Sequence, residues 1–73
     1  MSVAALSDDQ VRAIGRKCGR AIYDWDERFV DWDVFSRSFG WWKWRKRLDL
    51  TAAQVAVFRQ GFEEEVAYQR SKA

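Results

Sequence analysis

Apolar residues recur at steps of three and four in two separate stretches of the chain. The first stripe runs Val11, Ile14, Cys18, Ile22, Trp25, and the second runs Val55, Phe58, Phe62, Val66. A helix returns positions three and four apart to one face, so each stripe predicts an amphipathic helix with a buried side. Both carry a start signal. Ser7-x-x-Gln10 and Thr51-x-x-Gln54 have the capping-box pattern, in which each side chain satisfies the other residue's free backbone N–H. Leu6 with Val11, and Leu50 with Val55, stand at the positions of a hydrophobic staple. The two starts match residue for residue, but the match fades to shared hydrophobicity after the first turn. Common helix-start physics explains it more simply than an internal repeat.

Residues 26–49 admit two readings. As a helix, Trp32, Phe35, Phe39 and Trp42 make one face, and Val30, Val34, Trp41, Trp44 and Leu48 make the other. Two apolar faces predict a central helix, or one with a core side and a partner side, with Gly40 as a C-cap or kink. The alternative is a β-hairpin over residues 30–48, with Ser36 to Gly40 as its turn. It would set Asp31 and Asp33 near Lys43 and Arg45. A two-stranded ribbon is marginal alone. The run from Arg45 to Thr51 also reads as a basic helix end, a short turn and a new N-cap. The favoured fold class is therefore all-α, a small three- to four-helix single domain over residues 1–73; the alternative is α+β.

A short chain supplies a small core, so a covalent or metal staple would help. Cys18 is the only cysteine and there is no histidine, which excludes an internal disulfide and disfavours structural zinc. Packing must suffice, and five Trp and five Phe supply large apolar areas. Gly15 and Gly19 sit four apart inside the first helix and cost it roughly 2 kcal/mol relative to alanine. Close packing of a bulky neighbour, such as a Trp, would compensate.

Catalytic equipment is sparse. No imidazole is available as a base near neutral pH, no glycine-rich phosphate loop exists, and Cys18 lies within an apolar stripe. Asp24, Asp26, Glu27, Asp31 and Asp33 form an acidic block. They lack the glycine and distal glutamate of a calcium loop, and Arg28 falls where a ligand should be. The expectation is a non-enzymatic protein with no cofactor and no metal. No secretory leader or membrane span is visible, and the lone thiol suits a reducing compartment, so the expected location is the cytoplasm.

The net charge is only +2, yet it is polarised. The acidic block is followed by Arg37, Lys43, Arg45, Lys46 and Arg47 with no acid among them. Trp41-Trp42-Lys43-Trp44-Arg45-Lys46-Arg47 is the segment that points most clearly to binding. Trp and Arg dominate binding hot spots, indoles stack, and bases meet phosphates. The helical facing count assigns Trp42 to the core. It leaves Trp41, Trp44, Lys43, Arg45, Lys46 and Arg47 as the partner-binding residues. Arg12, Arg16 and Arg20 lie one turn apart; an ordinary solvated helix face is the favoured reading, and an extended basic surface is the alternative.

In its size, aromatic excess, charge polarity and lack of catalytic groups, the chain resembles the small host-takeover regulators encoded by bacteriophages. These block or redirect bacterial RNA polymerase or inhibit CRISPR complexes. The resemblance is one of general type and transfers no residue roles. It implies a monomer when free that docks on a larger protein assembly in the host cytoplasm, foremost bacterial RNA polymerase, regulating or inhibiting transcription. Inhibition of another host defence complex is a variant of that expectation. Direct nucleic-acid binding through the basic Trp-rich segment is the main alternative, opposed by the low net charge and the acidic block. A self-associating module is a third, and membrane binding is not expected.

Overall fold

The computed structural model describes residues 6–38 and 41–72. Four α-helices and one 3-10 turn follow in order: α1 (Asp8–Trp25), the 3-10 turn (Glu27–Phe29), α2 (Trp32–Arg37), α3 (Trp41–Leu48) and α4 (Ala52–Lys72). The described part of the middle region is helical, and the hairpin alternative is overturned. Phe39 and Gly40, expected to extend a helix face and to end it, lie outside the described residues.

Both long helices begin as their sequences dictate. At α1, Ser7 N–H donates to Gln10 Oε1 at 2.9 Å and Gln10 N–H donates to Ser7 Oγ at 3.2 Å. At α4, Thr51 and Gln54 make the same reciprocal pair at 3.2 and 3.1 Å. Gln54 does one thing more: its amide donates to the Leu6 carbonyl at 2.8 Å, which ties the two helix starts together.

Leu6 meets Gln54, Gly15 meets Phe58 and Gly19 meets Phe62. Partners advance together along both helices, so α1 and α4 run parallel. A parallel pair needs a return path along its length, and the 3-10 turn, α2 and α3 lie on it. At 21 residues α4 is about 31 Å long, most of the 44 Å long dimension of the molecule.

The parallel pair packs backbone to backbone. A Cβ at Gly19 would stand 2.8 Å from the Phe62 carbonyl oxygen. At Gly15 it would overlap the Phe58 carbonyl, and at Gly61 the Arg12 carbonyl. In each case the hydrogen in the Cβ direction is aimed at an oxygen of the facing helix, the geometry of a Cα–H···O contact. The neighbour that Gly15 and Gly19 admit is thus a helix backbone rather than a Trp side chain.

The core is Val11, Val30, Phe35, Trp41, Leu50, Phe58, Phe62 and Val66. Phe58 and Phe62 are fully buried and receive the crossover. Phe35 stacks on Phe62 at 4.7 Å between ring centroids, Trp41 lies 4.8 Å from Phe58, and Trp32 meets Trp41 edge-on at 4.9 Å. The α4 stripe follows the expected order, with Val55 half-buried. The α1 stripe holds through Ile22 but not at Trp25. That ring is 67% exposed and turns back to stack on Phe29.

Candidate functional site

Helix α3 is anchored by its first and last residues. Trp41 is 7% exposed, and Leu48 packs half-buried against the core. The helix ends at Asp49, whose φ of 52° is left-handed. Asp49 N–H donates to the Lys46 carbonyl at 3.2 Å, and Leu50 N–H donates to the Arg45 carbonyl at 3.3 Å. This is a Schellman ending, with aspartate where glycine is usual. Leu50 is buried directly after it and Thr51 caps α4, so one three-residue corner ends one helix and starts the next.

The facing of the first two tryptophans is the reverse of the sequence expectation. Trp41 is in the core, and Trp42 is 58% exposed. The expectation carried one helical phase from Trp32 through Gly40 to Trp42. The structure has two helices there, α2 and α3, each with its own phase. Trp41, expected to face a partner, is therefore turned away from solvent, and Trp42, expected in the core, faces it. Trp44 is 42% exposed, as the outward reading required. Lys43, Arg45, Lys46 and Arg47 are all exposed. A helical phase set in one helix does not carry into a separate one, and α2 and α3 are separate.

Five arginines outside α3 stand beside carboxylates, while Lys17, Arg37, Arg70 and Lys72 enter no ion pair among the described residues. Arg12 Nε donates to Glu64 Oε1 at 2.8 Å, its Nη2 bonds Glu64 Oε2, and Arg16 lies 3.6 Å from the same carboxylate. Hydrogen bonding to Arg12 holds the Glu64 carboxyl below its ordinary range. Arg20 faces Asp24 at 3.9 Å, and Arg59 pairs with Glu63 at 2.9 Å. The Arg12, Arg16 and Arg20 row thus meets two carboxylates, Glu64 and Asp24, with Arg12 and Arg16 sharing the first.

The acidic block turns out to be a run of helix starts. Asp26 caps the 3-10 turn, accepting from Arg28 N–H at 3.0 Å, and the Arg28 side chain grips the same carboxylate. These bonds pull the Asp26 carboxyl below its ordinary range. Asp31 caps α2, accepting from Asp33 N–H at 2.9 Å. Glu27 and Asp33 sit in first turns, where the helix dipole favours negative charge. Among the described residues, none of these acids makes an ion pair with α3. Lys43, Arg45, Lys46 and Arg47 enter none of the five ion pairs found there.

Other features offer less. Burial pushes the Cys18 thiol up to about 11, which makes it a poor nucleophile near neutral pH. Among the described residues no cluster of three or more His, Cys, Asp or Glu side chains is placed to hold a metal ion. No described helix is long and apolar enough to cross a membrane. No family model, curated protein or solved structure matches the chain.

Proposed function

We propose that this chain is a non-enzymatic binding protein that docks on a larger macromolecular assembly through the outward side of α3. One observation carries the reading. Four exposed cations stand in an eight-residue helix with two exposed indoles, and no described acid pairs with them. Like charges at Lys43 and Arg47, four apart, destabilise the isolated helix by about 0.2–0.5 kcal/mol. The rest of the chain matches most of its arginines with carboxylates, so leaving this group unmatched suits an external acidic surface. Trp and Arg together have the composition of a binding hot spot. Bacterial RNA polymerase is the leading candidate assembly, because a Trp- and Arg-rich helix suits a protein that grips a machine beside its nucleic acid.

The test is affinity capture from bacterial lysate with the wild-type chain and with the Lys43→Glu/Lys46→Glu/Arg47→Glu variant, read by mass spectrometry. The three positions are exposed, so the variant should keep the wild-type circular dichroism. The reading predicts a stoichiometric set of subunits that the variant fails to capture. Equal capture by both chains would refute docking through α3.

A further inference from the structure

The outward side of α3 is an ordered row. At about 100° per residue, Trp42, Lys46, Lys43 and Arg47 follow one another around about 140° of the helix. Trp41 and Leu48 hold the opposite side against the core. Trp44 and Arg45 flank the inner side, one on each edge.

Charge density separates the classes of partner. Eight residues rise about 12 Å, so the three cations of the row give one positive charge per about 4 Å. One strand of duplex DNA carries a phosphate per about 3.4 Å of axis, a density that the acidic surface of a folded protein seldom matches. The exposed indoles of Trp42 and Trp44 add flat apolar faces beside the cations, suited to bases or sugars. Asn and Gln, the side chains that read adenine, are missing from α3, and three of its four cations share about 100° of its surface. In the acidic block, Asp26 and Asp31 cap helices and Asp24 and Asp26 pair with Arg20 and Arg28, which leaves Glu27 and Asp33 with neither role among the described residues.

On the docking reading above, we infer that the surface α3 grips is a nucleic-acid phosphate backbone, bound without regard to sequence. Lys43, Lys46 and Arg47 contact phosphates, and Trp42 packs on the sugar or base at the edge of the row.

The experiment is fluorescence anisotropy with the full chain and three labelled probes: a mixed-sequence duplex, its single strand, and an oligo-glutamate peptide. Three phosphate contacts predict that the duplex Kd rises about 40-fold between about 50 and 200 mM salt. Lys46→Ala and Arg47→Ala should each flatten the log–log salt slope by about 0.9. Trp42→Ala should weaken binding and leave the slope unchanged. Scrambling the oligonucleotide should change nothing. Absence of binding to both oligonucleotides, preference for the glutamate peptide, or an unchanged slope in the cation variants would each overturn the inference. Nuclease-resistant capture that still depends on α3, with no oligonucleotide binding, would overturn it and leave the docking reading standing. Capture that ignores the α3 charges would remove both.

Discussion

Replacing Gly15 with alanine sets two effects of opposite sign against each other inside one helix. Alanine is the better helix former by about 1 kcal/mol, so propensity alone predicts a more stable protein. Packing predicts the reverse. A Cβ at Gly15 would overlap the Phe58 carbonyl, and a backbone carbonyl cannot swing aside like the end of a side chain. The helices would have to part by about 1 Å, and a gap of that size forfeits a quarter to a half of the dispersion well at each contact. Overpacking of this kind costs about 1–3 kcal/mol, and an unyielding obstacle places it at the upper end. The expected net loss is about 2 kcal/mol, near half of the ~3–5 kcal/mol available to so small a domain. Urea denaturation followed by circular dichroism and Trp fluorescence measures it, with Ala21→Gly as the control. Ala21 is exposed on the same helix, so that change should cost about 1 kcal/mol from propensity alone. A Gly15→Ala midpoint equal to or above wild type would refute the backbone-to-backbone packing of α1 and α4.

Three other outcomes follow from the same structure. Trp41→Ala should cost about 3–5 kcal/mol and approach global unfolding, whereas Trp42→Ala should stay within about 0.5 kcal/mol, both read from urea midpoints. Because hydrogen bonding to Arg12 depresses the folded-state pKa of Glu64, that pair's stabilisation is complete above the unfolded carboxyl value and is lost as pH falls through the folded one. Urea midpoints measured downward from about pH 5 should therefore fall more steeply for wild type than for Glu64→Gln. With its pKa near 11, Cys18 should react slowly with a thiol reagent at about pH 8 in the native chain and rapidly in urea.

What the sequence revealed was local, and what it hid was relational. Ser7/Gln10 and Thr51/Gln54 are legible because a capping box involves four neighbouring residues. The stripes Val11–Ile22 and Val55–Val66 are legible because a helix imposes one period on both. Nothing local says that α1 and α4 run parallel, or that Gly15, Gly19 and Gly61 each face a carbonyl of the other helix. Those facts depend on pairs some fifty residues apart, such as Arg12 and Glu64, separated by 52. Trp41 and Trp42 were exchanged because one phase was carried across a break. Trp25 was placed in the core because the α1 stripe was continued to the last turn, where Phe29 offers its ring a nearer surface. The charges of α3 were plain from the start. That all four enter no ion pair while Arg12, Arg16 and Arg20 stand beside carboxylates became visible only in the folded chain.

Hydrogen–deuterium exchange of the chain bound to its captured assembly tests the role of α3 most directly. An exposed eight-residue helix has little burial to slow its opening, so its amides should exchange readily in the free protein. Docking through this face predicts new protection concentrated in residues 41–48, with the α1–α4 pair unchanged. Protection gained on the outer sides of α1 and α4, with residues 41–48 still exchanging as in the free chain, would contradict it.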